Sequence, residues 1–457
     1  MSCPPYLEYK SSGIDWLGSL PEHWSIGPLK RRYEVCLGKM LQTDSASETD
    51  LLKPYMRAAN IKWSGVDITD VKSMWFSARD VQQLRLTEND LLVSEGGDVG
   101  RSALWLDEIP ECYIQNSVNR IRAKGGDSTK FLYYWIATIK AKGYIDVLCN
   151  KSTIAHFTAE KVAAVPTPLP PSVEQSAIVQ FLDRETAKID ALIAEQEKLI
   201  ALLAEKRQAT ISHAVTKGLN SNAPMKDSGI AWLGEVPEHW KVGKAGYYIS
   251  VLPGYAFPSA GFSLDEDGTR LLRGINVGVG ELRWDEVVYW PNTEVDGLDT
   301  FSLREGDVVI GMDRPLISRG MRVALVRSED LPCLLLQRVA KVQPGSKMEG
   351  RFIMRLLSSR AFEAHFAPET TGVSVPHISG EQICSFVVPV PPLGEQMAIC
   401  RFLEAELENL DTLNHECEGA IALLKERRSA LIAAAVTGQI DVRGTSKTTT
   451  KQEPALT

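Results

Sequence analysis

The sequence predicts a mixed α/β, strand-rich chain made of two copies of one unit, each a globular domain followed by a long helix. Three observations carry this. SGIDWLGSLPEHW at 12–24 returns as SGIAWLGEVPEHW at 228–240, 216 residues later. From Cys112 and Cys333 to the end of the repeat the offset settles at 221. After the Pro170-Pro171 and Pro391-Pro392 pairs, apolar residues recur with the three-four spacing of a coiled-coil seam.

Between those landmarks the offset drifts. Asn60-Ile61 matches Asn276-Val277 at 216, and Asn89 to Val93 matches Gly306 to Ile310 at 217, so small insertions lie in the middle of the domain. Thr153 to His156 then pairs with Ser374 to His377, Glu174-Gln175 with Glu395-Gln396, and Ala214 to Gly218 with Ala435 to Gln439. Self-similarity at a fixed period makes each copy one structural unit. The expected boundaries are 1–170 and 220–390 for the domains, 171–219 and 391–441 for the helices, and a disordered polar tail at 442–457.

Within the domains, short apolar runs between Gly and Pro punctuation, such as Asp90 to Ser94 and Asp307 to Gly311, read as strands flanked by turns. The helical seam runs through Ile178, Leu182, Glu185, Ile189, Leu192, Gln196, Leu199, Leu203, Lys206 and Thr210. In the second copy it runs through Ile399, Leu403, Glu406, Leu410, Leu413, Cys417, Ala420, Leu424, Arg427 and Leu431. Two matching seams in one chain favour pairing with each other, and a two-fold relation makes that pairing antiparallel. Ser172 with Gln175 reads as a capping box, and Gly218 and Gly438 as left-handed C-terminal glycines. Each helix of roughly 45 residues spans about 65–70 Å.

Length and composition fit several globular domains: 457 residues, 44% hydrophobic and 24% charged. No apolar run of membrane-spanning length and no secretory leader pattern occurs, so a cytosolic location is expected. Eight scattered cysteines without a CxxC pair argue against both zinc and a disulfide framework. The net charge is −8; residues 1–170 are neutral, with 20 basic and 20 acidic side chains, and 225–390 carry 17 against 21. Any DNA surface is therefore a local basic face.

Catalytic signals are sparse. Cys3-Pro4-Pro5-Tyr6 approximates the adenine-amino-methyltransferase pattern, but cysteine is a poor acceptor for the amino group, and an extended N-terminal arm is the preferred reading. There is no P-loop, and Gly274 to Gly280 lacks dinucleotide-binding spacing. The duplicated His23/His239 and His156/His377 have no nucleophile at a motif spacing and read as structural. What remains are basic, amide and aromatic groups of the kind that read base edges and hold phosphates. In the first domain these are Lys30, Arg31, Arg32, Arg57, Asn60, Lys62, Trp63, Arg101, Gln115, Asn116, Asn119 and Arg120. In the second they are Tyr255, Arg270, Arg273, Asn276, Arg283, Trp284, Arg314, Arg319, Arg322, Gln337 and Arg338. Residues shared by both copies suit the fold or phosphate, whereas sequence-reading positions should differ.

The chain resembles the specificity subunits of Type I restriction–modification systems. The resemblance is carried by WLGxxPEHW, the Asp90 to Ser94 strand with Gly100-Arg101, the His156 and His377 approaches, Pro-Pro-xx-Glu-Gln, and the Glu205-Lys206-Arg207 and Lys425 to Arg428 helix segments. It covers residues 9 to about 441 and implies two target-recognition domains, each reading half of a split double-stranded DNA site. It further implies helices that set the gap and dock two methyltransferase subunits, with S-adenosylmethionine, ATP and Mg on partner subunits, restriction and translocase subunits included, and no cofactor or metal on this chain. One departure is that Lys30-Arg31-Arg32 becomes Lys244-Ala245-Gly246, so a phosphate contact there does not transfer to the second copy.

Overall fold

The computed structural model describes residues 3–149, 156–291, 297–317, 320–365 and 376–444, together with the backbone of 366–370. It is a mixed α/β structure of small sheets and two long helices, Ser172–Lys217 and Leu393–Val436. The chain divides into two compact units, 1–196 with 419–457, and 197–418. Each unit thus holds one domain, one end of the first long helix and one end of the second.

In the first unit the central sheet has four strands: β1 (Tyr33–Leu37), β2 (Leu91–Ser94), β3 (Ser102–Leu104) and β4 (Val118–Ala123). They lie in the order β3-β2-β4-β1, all antiparallel. β2 is buried throughout, as its unbroken apolar run requires. Helix Thr129–Ala141, capped by the Ser128 hydroxyl, adds Phe131, Leu132, Trp135 and Ile136 to the core. A second sheet sets Leu51–Met56 between Lys72–Phe76 and Tyr113–Ile114.

The second unit repeats this plan. Its strands β5 (Ile249–Pro253), β6 (Val308–Gly311), β7 (Val323–Leu325) and β8 (Val339–Pro344) lie in the order β5-β8-β6-β7. Arg120 pairs across from Leu92 in one sheet and Lys341 from Val309 in the other. The step in offset from 217 to 221 falls in a turn. Ser94 and Gly311 each donate an amide across the β2–β3 or β6–β7 turn, to Arg101 and Arg322, so the second turn is four residues longer. The extra length forms a small hairpin, Leu316–Ile317 with Gly320–Met321.

The repeated sequence motifs meet at the start of each long helix. Glu174 is buried and takes His23 Nε2 at 2.8 Å and the Tyr6 hydroxyl on its two oxygens. Glu395 takes His239 Nε2 at 2.8 Å and Trp240 Nε1 at 3.0 Å. The adjacent glutamine binds the domain: Gln175 accepts from the Ser128 amide and donates to Asp127 and the Pro170 carbonyl. Gln396 accepts from the Glu349 amide and donates to Lys347 and Pro391 carbonyls. The expected Ser172–Gln175 capping box is therefore replaced. The Gln175 amide bonds the Pro171 carbonyl, which makes Pro171 the cap and puts Ser172 already inside the helix.

The N-terminal Cys-Pro-Pro-Tyr segment is an arm, as expected. Tyr6 packs on Trp24 and under the Arg443 guanidinium, and the Pro4 carbonyl accepts the Asp441 amide. Val442 is fully buried beside it, so the ordered chain enters the segment expected as tail, whose residues 445–457 lie outside the described ones.

Within the first unit the two long helices run in opposite directions. Glu174, at the start of one, and Arg443, just past the end of the other, share Tyr6, while farther in Asp190 pairs with Arg428 at 2.8 Å. The second unit repeats this, with Gly218 against Glu395 and Arg207 paired with Asp411. After Leu182 the inward line keeps Ile189, Gln196 and Leu203 of the expected seam and departs from it by one residue at the alternating positions. It passes through Thr186, Ile189, Ile193, Gln196, Ile200, Leu203, Arg207 and Ile211, with equivalents 221 residues later, all buried or half-buried. Two successive steps of four, at 178–182–186, shift the register by one. Leu192, Leu199 and Leu413 consequently face solvent.

Gly218 and Gly438 both have positive φ, 76° and 69°. A Cβ on Gly438 would lie 2.4 Å from Pro21 Cδ, whereas one on the helical Gly394 meets nothing within 4 Å. Gly438→Ala is expected to destabilise by about 1–3 kcal/mol or more, and Gly394→Ala to stabilise by about 0.5–1 kcal/mol. Denaturant unfolding of the two variants, which should move in opposite directions, checks this.

Candidate nucleic-acid interface

Burial and bonding sort the expected DNA-contacting residues into two groups. The first group builds the domain. Asn60 is buried; it donates to the Asp67 and Asp70 carbonyls and accepts from the Arg57 amide. Asn276 does the same with Arg283, Glu286 and Arg273. With both N–H groups spent on backbone, neither can read adenine, and this expectation is corrected: the pair staples a turn in each copy. Asn119 is fully buried and donates to Phe157, and the buried Arg120 donates to the Gln83 and Arg85 carbonyls. These too leave the DNA-facing set.

Arg101 and Arg322 are a second matched staple, donating to the Ala58 and Val277 carbonyls. Burial pulls the Arg322 pKa below its usual value, with the nearby Asp313 opposing. Arg57 pairs with Asp70, and Arg273 bonds the Glu286 carbonyl. Arg270 holds the Glu329 and Leu331 carbonyls while covering Trp284, whose indole donates to Asp330. Arg32 is tied to Asp127, and Gln115 to Asn116 and Ser117. A guanidinium spent on the chain's own carbonyls has fewer donors left for a base or phosphate.

The second group is exposed: Lys30, Arg31, Lys62, Trp63, Tyr255, Arg283, Arg314, Gln337 and Arg338. Arg283 is paired with Glu281, and Arg319 lies outside the described residues. In the second domain the structure brings Arg314, Gln337 and Arg338 together with Tyr255. The Gln337 amide donates to the Tyr255 carbonyl, and Arg338 pairs with Asp313, the neighbour of Arg314.

Asp313 and His377 also belong to this cluster. His377 Nδ1 lies 2.7 Å from Asp313 Oδ1. Partial burial raises the Asp313 pKa, but bonds to His377 and Arg338 outweigh it and hold the carboxyl below its ordinary value. Asp313 carried no signal in sequence, because its partners lie 25 and 64 residues away. The first domain places Glu95 3.8 Å from His156 in the equivalent turn, while Thr153 to Ala155, Ser374 and Val375 of the two approaches lie outside the described residues.

Among the described residues no group of three or more His, Cys, Asp or Glu could hold a metal, and no helix is long and apolar enough to cross a membrane. The thiols of Cys112, Cys333 and Cys400 are pushed up to about 12 by burial, which suits core residues.

Comparison with known proteins agrees with this architecture. The profile of the Type I restriction modification DNA specificity domain matches residues 38–201. Over this stretch the chain is similar to the specificity subunits of Type I restriction–modification systems. It is 24% identical to the MjaVIII specificity subunit of Methanocaldococcus jannaschii over 93% of this chain and 94% of that one. To the Escherichia coli EcoAI specificity subunit it is 31% identical over 52% of this chain and 40% of the relative. Among solved structures, one from a study of assembly and conformational transition in the type I system aligns with a TM-score of 0.65 at 17% identity, covering 92% and 99% of the two chains. The HsdS subunit of Thermoanaerobacter tengcongensis aligns with a TM-score of 0.51 at 18% identity, covering 92% and 98%.

The two asparagine staples predict a separation of stability from binding. Asn60→Ala and Asn276→Ala should each cost about 1–3 kcal/mol by removing the three backbone hydrogen bonds that each buried amide makes, whereas Lys62→Ala should stay within about 0.5 kcal/mol. Thermal unfolding of the purified variants measures both.

Proposed function

We propose that the chain is the sequence-recognition subunit of a Type I restriction–modification complex, with each domain, 1–170 and 220–390, reading one half of a bipartite double-stranded DNA site. The subunit is non-catalytic. Methyl transfer from S-adenosylmethionine belongs to two methyltransferase subunits, and ATP- and Mg-dependent translocation and cleavage to restriction subunits. The complex works where its DNA is, in the cytoplasm.

The observation that carries the reading is a duplication with a selective difference. Sheet order, the Glu–His tie and the asparagine staple are common to both units, while the β6–β7 turn is longer and more basic than the β2–β3 turn. Two scaffolds alike in frame and unlike at this turn, among other places, suit two readers of different half-sites. The domains' neutral to acidic balance fits partner subunits that supply much of the phosphate-neutralising charge.

The long helices, 171–219 and 391–441, pair as an antiparallel coiled coil about a pseudo-two-fold axis and set the spacer. Support comes from within each unit: the Asp190–Arg428 and Arg207–Asp411 pairs exchange under the 221-residue offset. Helices of 46 and 44 residues, about 65–70 Å long, match half-sites one or two DNA turns apart, about 34–70 Å. Leu192/Leu413 and Leu202/Leu423 are exposed at corresponding positions, which suits two equivalent docking faces for the methyltransferase subunits.

Exchanging residues 1–170 for another recognition domain should change one half of the methylated motif and leave the other intact; mapping methyladenine in DNA exposed to the complex tests this, and a change in both halves sinks the two-reader reading. Inserting matched heptads after Gln196 and Cys417 should lengthen the unread spacer with both half-sites kept. The same mapping reads it out, and an unchanged spacer would contradict the ruler role.

A further inference from the structure

The exposed turn of the second domain contains a carboxylate in an unusual setting. Asp313 sits where three stretches of chain converge. The Met312 amide donates to the Arg338 carbonyl, the Arg314 amide to Pro376, and the Ile378 amide to Met312. At this junction Asp313 is one-fifth exposed, Arg338 and His377 64% and 49%. Its two carboxylate oxygens go to His377 and Arg338, and its backbone carbonyl accepts from Arg322 at 3.3 Å.

We infer that Asp313 is a positioning residue for base recognition, fixing Arg338 and His377 on one turn so that the Arg338 guanidinium enters the DNA groove in a set pose. The inference rests on the DNA-recognition reading above and deepens it.

Three arguments lead there. An ion pair this exposed contributes little to stability, so its worth lies in orientation. Arg314 and Arg338, on either side of the cluster, both have positive φ, 45° and 69°, a conformation that side-chain-bearing residues adopt at a cost and that gathers at functional sites. Arg338 makes one hydrogen bond, through Nη1, leaving the rest of its planar fork without a partner among the described residues. That fork fits the O6 and N7 acceptors of guanine when something holds it still.

The first domain supplies the contrast. Ser117 accepts the Glu95 amide as Arg338 accepts that of Met312, so Ser117 stands where the second domain has arginine. An acid stands near the histidine in both turns, Glu95 at the position of Met312 and 3.8 Å from His156, but only the second domain hydrogen-bonds its histidine to the acid and adds the arginine. A reader that distinguishes its half-site from its twin's needs this kind of difference.

The test uses the full chain expressed with its methyltransferase subunits in a host lacking adenine methylation, followed by motif mapping and DNA binding across a salt series. Arg338→Ala and Asp313→Asn should both lose preference at the same base pair, by about 5- to 150-fold. That base pair should lie in the half-site that moves when 220–390 is exchanged. Asp313→Glu, which keeps the charge, should retain more preference than Asp313→Asn. Arg338 is exposed, so Arg338→Ala keeps the test open even where Asp313→Asn unfolds. An unchanged motif overturns the inference, as does uniform weakening with a salt slope reduced by about one, the mark of a phosphate anchor. A wild-type complex that methylates no motif overturns the underlying DNA-recognition reading instead, which is a separate failure.

Discussion

A carboxylate in the first turn of each long helix, Glu174 and Glu395, decides how a domain is joined to its helix. The helix N-terminus favours negative charge, but the burial of Glu174 requires specific partners. His23 and Tyr6 provide them in one unit, His239 and Trp240 in the other. The neighbouring Gln175 and Gln396 fix the same turn to the loop preceding the domain's own helix. Two motifs about 150 residues apart in sequence, PEHW and Pro-Pro-xx-Glu-Gln, thus form one joint. The residue types follow from the joint: an acid for the helix end, an imidazole to face it, an amide to satisfy backbone on both sides, and prolines to stop the strand and start the helix.

Much of this architecture was legible because duplication carries redundancy. The strands at Leu91–Ser94 and Val308–Gly311 form where continuous apolar runs placed them. The drifting offset located an insertion that proves to be the longer β6–β7 turn. The seam was legible in period but not in phase. A strict heptad and a seam with one extra step of four share 189, 196 and 203 and differ by a single residue at the alternating positions, and leucines at 192 and 199 made the wrong choice there as apolar as the right one. What separates them is the tie of each helix's first turns to its own domain, a tertiary constraint that a periodicity count does not contain.

The interface was less legible, for a physical reason. Arginine and asparagine suit bases and phosphates because they carry several directed donors, and the same donors suit orphaned carbonyls in loop-rich domains. Asn60, Asn276, Arg101, Arg120 and Arg322 are all spent this way. Composition cannot tell these uses apart, because both need the same groups and differ only in burial. Matched placement in the two copies pointed in the right direction: the pairs 60/276 and 101/322 are staples in both.

The same reasoning separates frame from reader in the second domain. A residue kept at equivalent places in two domains of different specificity is constrained by what the domains have in common, their fold and the shape of the DNA backbone. A residue that differs, sits exposed and is nonetheless held by a second side chain has been given orientation without burial. Arg338 meets all three conditions through Asp313, whereas Arg120, though equally basic, is buried and spent on backbone carbonyls. Holding a long side chain still before binding reduces the entropy lost on contact. A carboxylate buttress on an exposed turn therefore favours one base over the others, whereas a free surface lysine such as Lys30 would favour only the proximity of phosphate.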